Sequence, residues 1–180
     1  MPLYVNYTPT QIVQDADTNR VFAVVEIPSG TTVQQVIDTS GLLHTATDHP
    51  FDFLPYPGNY GFIAGCGKRD SITRLLKPLP VLVMMHALAT ESMIQVNPVA
   101  VLVLTDEAGN QPIVIAVPSD TTLQSIRVGS FVDFITEYDG ARHILQLWFL
   151  NHRGREMFGF TGWRDEHYAR KLIQDWKLIE

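Results

Sequence analysis

The strand-like segments of this chain come first and the helical ones last, an order that limits the fold to a few architectures. Val21–Ile27 places Val21, Ala23, Val25 and Ile27 on one face, with Phe22, Val24 and Glu26 on the other. Both faces are largely apolar, which predicts a strand buried on both sides. After the break at Pro28-Ser29-Gly30, Thr31–Ile37 reads as a second strand, and Asp38-Thr39-Ser40-Gly41 as a turn. Further strands are expected at Val81–Met85, Met93–Val96, Val99–Leu104 and Ile113–Val117, the last two joined by the turn Asp106-Glu107-Ala108-Gly109-Asn110. Helical spacing follows. Asp139-Gly140 opens a helix over Arg142–His152 with Ile144, Leu147 and Trp148 on its apolar side. Met157–Thr161 reads as a short strand. Asp165 caps a final helix in which Tyr168, Leu172 and Trp176 recur at i, i+4 and i+8. Short strands followed by helices predict an α+β domain, most simply a small closed barrel with helices packed outside.

Residues 1–20 are polar and weakly patterned and read as a surface arm; residues 21–180 read as a single domain. Hydrophobic residues make up 46% of the chain and charged residues 18%, a globular balance rather than a disordered one. The net charge of -6 argues against a nucleic-acid partner but leaves room for a local basic pocket. Cys66 is the only cysteine, so no intrachain disulfide forms; with no histidine near it in sequence, it reads as an inert core residue. No apolar run approaches the roughly 20 residues of a membrane helix, and Met1-Pro2-Leu3-Tyr4 lacks the pattern of a signal peptide. A cytoplasmic protein with no membrane partner is the expectation.

Two middle segments stand apart. Asp48–Gly67 is long, rich in proline and glycine, and interleaved with Phe51, Phe53, Tyr56, Tyr60 and Phe62, the character of a functional loop packed by its own side chains. Lys68–Lys77 is a basic, insertion-like segment carrying Arg69, Arg74 and Lys77.

Five segments in order resemble the family I soluble inorganic pyrophosphatases. They are Val25-Glu26-Ile27-Pro28, Tyr56-Pro57-Gly58-Asn59-Tyr60-Gly61-Phe62-Ile63, Pro98-Val99-Ala100-Val101-Leu102, Thr105-Asp106-Glu107-Ala108-Gly109 with Ile115-Ala116-Val117-Pro118, and Thr161-Gly162-Trp163. The resemblance spans about Val21 to Trp176. It implies a five-stranded OB-type β-barrel with flanking C-terminal helices, hydrolysis of pyrophosphate with several Mg²⁺ ions, and assembly as a homo-oligomer. The chemistry explains the family's acids: carboxylates hold metals, and metals neutralise the substrate and activate a water.

The chain departs from that pattern where the metals would sit. The family's Asp-Gly-Asp-Pro-x-Asp aligns with Leu75-Leu76-Lys77-Pro78-Leu79-Pro80. A further metal-binding Asp and a Lys align with Gln111 and Ile113. The Lys and Glu of the second strand align with Gln34 and Val36, and an Arg falls within Thr45–Thr47. The late Tyr-Lys pair falls on His152-Arg153. Glu26, Asp106 and Glu107 remain as candidate catalytic positions, with Asp106 the one candidate metal ligand. Tyr56, Tyr60, Lys77 and Arg153 are the candidate ligand-binding residues.

Each of these has a second reading. Asp106-Glu107 is a residual metal site or a solvated turn. Tyr56 and Tyr60 contact a ligand or pack their own loop. Glu26, on an apolar strand face, has a raised pKa and works as acid or base, or it hydrogen-bonds a tyrosine. Lys68, Arg69, Arg74 and Lys77 are a solvated loop, or Lys77 with Arg153 replaces metal ions as the positive charge in the pocket. His152 and Arg153 also suit a helix C-terminus. The function expected is a non-hydrolytic binding or structural module that needs no cofactor and takes a small phosphate-bearing anion. The alternative is an active phosphohydrolase with a rebuilt Mg²⁺-dependent site.

Overall fold

The computed structural model describes residues 20–32, 34–37, 43–46, 53–69, 76–154 and 157–177. The expected N-terminal arm, apart from Arg20, lies outside these residues, as do the turn at 38–41, Leu75 and Arg74. Eight strands and three helices are described: β1 Val21–Ile27, β2 Gln34–Ile37, β3 Leu43–Ala46, β4 Asn59–Arg69, β5 Leu76–Val83, β6 Met93–Asp106, β7 Gly109–Pro118, α1 Phe131–Glu137, α2 Asp139–Asn151, β8 Gly159–Asp165 and α3 Glu166–Asp175. None of the described helices is long and apolar enough to cross a membrane.

Five strands close a barrel in the order β1-β4-β5-β7-β6, with β6 pairing back onto β1. All these pairings are antiparallel except β5 with β7. β2 and β3 form a separate hairpin. The α+β barrel with flanking C-terminal helices is therefore as the sequence led us to expect. Val24 and Val25 of β1, from opposite faces, are both buried, which agrees with a strand covered on two sides.

Several boundaries differ, each for a physical reason. Residues 59–67, taken above as part of a loop, are strand β4. Its glycines serve barrel closure: a Cβ on Gly61 would lie 1.8 Å from the Val24 carbonyl oxygen, and Gly65 (φ 70°) sits in the register shift between Phe62 and Gly67. Lys68, Arg69 and Lys77, expected in a basic insertion, lie on paired strand ends, with Lys68 opposite Lys77. β5 begins at Leu76 rather than Val81 because Pro78 and Pro80 precede its pairing with β7 and owe that neighbour no N–H.

Met93–Val96 and Val99–Leu104 are one strand. Pro98 is tolerated there because β6 changes partner around it, from β1 at 93–96 to β8 at 100–105. β7 begins at Gly109, four residues earlier than expected, because the tight turn after Asp106 starts the ladder at once. The short strand expected at Met157–Thr161 is β8, displaced to Gly159–Asp165 by its register with β6.

α1 escaped the sequence reading because Val132 and Ile135 favour strand. Ser130 caps it, accepting from the Asp133 N–H at 3.1 Å. α2 starts at Asp139, and its buried side is Leu145, Trp148 and Phe149. Ile144 and Leu147, expected on that side, are 64% and 60% exposed. Both sets have spacing i, i+3, i+4, so periodicity alone cannot choose between them. The same rotation affects α3. Asp165 caps it as expected, accepting from the Tyr168 N–H at 2.8 Å, but Ala169 and Ile173 are buried with Trp176 while Tyr168 is 41% exposed. The Gly67 N–H donates to the Trp176 carbonyl at 2.8 Å, fastening the end of α3 to β4.

Two cores result. One joins β-strand side chains such as Val81, Val83, Val101 and Val114 to α3. The other joins Leu82, Leu102, Leu104 and Ile115 to α1, α2 and Tyr56. Cys66 is buried in the first, its thiol near the Ile173 carbonyl at 3.6 Å and pushed up by burial to about 11. That thiol is inert, as expected.

Candidate active site

The segment before β4 is held against β1 by backbone and side chains together. The Tyr56 N–H donates to the Thr31 carbonyl at 3.0 Å, and the Gly30 N–H donates to the Tyr56 carbonyl at 2.9 Å. The Trp148 indole donates to the Pro55 carbonyl at 2.9 Å, tying α2 to the same segment. Asn59 has no exposed surface. Its Oδ1 accepts from the N–H groups of Ser29 (3.1 Å) and Leu88 (2.9 Å), and its Nδ2 donates to the His86 carbonyl (2.9 Å). One side chain thus joins the turn after β1 to the segment after β5.

These ties place Tyr56 and Tyr60 against α2. Their ring centroids are 5.6 Å apart; Tyr56 lies 4.6 Å from Trp148, and Tyr60 lies 6.1 Å from Phe149. Tyr56 is buried. Its phenol is pushed up to about 12, chiefly by burial; the Arg153 charge opposes this and the Glu26 charge adds to it. Both expected charges therefore act on one phenol, which stays a donor across the physiological range. Glu26 is half-buried, and burial pushes its carboxyl up to about 7, as the apolar strand face suggested.

His152 and Arg153 follow α2. The His152 ring is buried, stacked on Trp148 at 4.5 Å and parallel to Phe158 at 6.0 Å. Its Nδ1 lies 3.0 Å from the Phe149 carbonyl, which can only accept, so Nδ1 carries the hydrogen. The Arg153 guanidinium stands over the Phe158 ring at 6.0 Å. The aromatic stack therefore joins Trp148, His152 and Phe158, and the exposed Arg153 side chain lies over the Phe158 ring.

A second group lies at the β6–β7 turn. Asp106 Oδ1 accepts from the Ala108 N–H at 2.8 Å and from Gln111 Nε2 at 3.0 Å. With the Gln111 amide so oriented, its Oε1 accepts from Lys77 Nζ. Lys68, opposite Lys77 in register, turns instead to the Trp176 ring at 4.9 Å. Glu107 is exposed, the solvated-turn reading. Among the described residues no three His, Cys, Asp or Glu side chains converge where they could hold a metal ion.

Of the residues the sequence singled out, Tyr56 packs against Tyr60 and feels the charges of Arg153 and Glu26, while Lys77 and Asp106 meet through Gln111. The sequence treated Asn59 only as a motif letter and Gln111 only as a lost acid. Asn59 was findable, since an amide between two aromatics in a Tyr-Pro-Gly-Asn-Tyr-Gly run is an unusual residue to bury; the partner of Gln111 was not.

Known proteins agree on the frame. The family model for inorganic pyrophosphatase matches residues 23–178. The inorganic pyrophosphatase of Mesorhizobium japonicum is 30% identical over 167 residues, 86% of each chain. That of Aeropyrum pernix is 30% identical over 158 residues, again 86% of each. The crystal structure of the Thermus thermophilus inorganic pyrophosphatase superposes with a TM-score of 0.75 at 24% identity, covering 91% of this chain and 92% of that one.

Proposed function

The chain belongs to the inorganic pyrophosphatase family, and from that premise we propose that it is a non-hydrolytic member, kept as a binding module. The observation that carries this reading is the chain of hydrogen bonds from Lys77 through Gln111 to Asp106. Family members normally use Mg²⁺, which needs oxygen donors from carboxylates. A protonated lysine has no lone pair to offer, and the Gln111 oxygen already accepts from that lysine. Asp106 is engaged by two N–H donors. These side chains do not fit a centre of several metals, so no metal-activated water enters the account. Leu75, aligned with another family aspartate, lies outside the described residues, and Pro80 has no donor atom in its side chain.

What this face retains is suited to holding an anion rather than cleaving it. Tyr56 is a buried phenol, Arg153 is an exposed cation over the Phe158 ring, and Tyr60 packs beside Tyr56. Losing metal-bound water and charge neutralisation removes several kcal/mol of transition-state stabilisation, at about 1.4 kcal/mol per tenfold in rate. Phosphate release from pyrophosphate with Mg²⁺ should stay at the blank. Turnover of roughly one per second, the low end of ordinary enzymes, would overturn the reading. The same assay decides the alternative of a rebuilt active site, for which Glu26, poised near neutral pH beside Tyr56, is the supporting observation.

A further inference from the structure

We infer that a second copy of this chain docks on the outward face of α2, its own α2 running antiparallel to the first across a two-fold axis. The inference does not depend on whether the chain hydrolyses anything.

α2 is apolar on two sides. Leu145, Trp148 and Phe149 face the core, while Ile144 and Leu147 stand 64% and 60% exposed on the opposite side. Single exposed apolar residues are ordinary on a protein surface and need no explanation. These two belong to a pattern. With Gly140 and Asn151, both also exposed, they recur at spacings of four, three and four residues, the narrow stripe by which one helix seats along another. The stripe runs nearly the full length of the 13-residue helix.

The stripe is complementary to its own reverse. In an antiparallel pair centred between Leu145 and Gln146, Ile144 meets Leu147 of the second copy, and Gly140 meets Asn151 of the second copy. The large apolar side chains therefore meet at the centre. At each end an Asn151 side chain, held in place by donating from Nδ2 to its own Leu147 carbonyl at 2.8 Å, meets a glycine. Gly140 leaves room for it, since a Cβ there would have no atom of its own chain within 4 Å. Every contact occurs twice with the two copies exchanged, the property of a two-fold interface.

Charge selects the antiparallel orientation. Asp139 opens α2 with its side chain 48% exposed, and Arg142 and His143 hold that carboxylate from its own helix. Arg153, also exposed, lies just past the other end. Antiparallel packing sets each Asp139 near the Arg153 of the second copy and each helix N-terminus beside a C-terminus. Parallel packing would set acid against acid, base against base and like dipole ends together. The seam is small against the roughly 800 Å² per partner of a standard interface, so the dimer is expected at micromolar rather than nanomolar concentrations.

The test is sedimentation equilibrium on the full chain across the micromolar range, which should show the 20.2 kDa chain passing into a dimer. Ile144→Gln and Leu147→Gln should each weaken the dimer at least roughly tenfold, because each change acts twice. Val132→Gln, at an equally exposed position on α1, should leave association unchanged. Orientation is read by mixing Gly140→Cys chains with Asn151→Cys chains under mild oxidation; the native Cys66 is buried and stays out of the reaction. Disulfides between the two variants should dominate, because identical positions of an antiparallel pair lie about 16 Å apart along the axis, beyond the reach of a disulfide. Circular dichroism checks that each variant is folded. A monomer throughout overturns the inference, as does association that both glutamine variants at 144 and 147 leave unchanged. Equal loss in Val132→Gln, or disulfides only between like variants, overturns it as well.

Discussion

Replacing Glu26 with glutamine isolates a charge that the fold disfavours. The carboxyl has an ordinary value of 4.5 and is pushed up to about 7 by burial. Between those values the folded chain holds a proton that the unfolded chain has released. Stability therefore falls as pH rises from 4.5 to 7, then levels off. The gap, at about 1.4 kcal/mol per pH unit, amounts to about 3 kcal/mol above pH 7. The side chain is only half-buried, so solvent makes that a ceiling. Glutamine keeps the shape and carries no charge at any pH. Urea unfolding at pH 5, 6, 7 and 8 is the assay. Glu26→Gln should be more stable than the natural chain by up to about 3 kcal/mol at pH 8, and by about 1 kcal/mol or less at pH 5. A difference that does not change with pH, or a natural chain that is the more stable at pH 8, would refute the argument that burial alone sets this carboxyl.

The remaining predictions concern the framework that positions the face. Asn59→Ala leaves the N–H groups of Ser29 and Leu88 and the His86 carbonyl without their partner, and should cost about 2–4 kcal/mol by urea unfolding; a loss under about 1 kcal/mol would show that Asn59 is not the joint it looks like. Gly61→Ala drives a methyl group onto the Val24 carbonyl and should abolish soluble folded protein. Gly65→Ala meets no atom within 4 Å and pays only for its positive φ, about 1 kcal/mol; equal effects at the two sites would contradict the steric account.

By itself the sequence determined the class of fold, because strand and helix periods are local properties that the chain carries in order. The Glu26 reading was local as well, since an acid on an apolar strand face is desolvated wherever that strand is buried.

Tertiary structure decided three things. It chose Leu145 over Ile144 and Ala169 over Tyr168 as inward residues, because two helix faces of equal spacing differ only in what they meet. It turned glycines that read as loop into strand β4, because the close approach of Gly61 to Val24 exists only once the barrel closes. And it gave Lys77 its partner: residues 77 and 111 are far apart in the chain, and only the neighbouring of β5 and β7 brings the ammonium to the Gln111 amide. Local pattern records which groups a chain owns, while the charge each one faces is a property of contacts between distant segments.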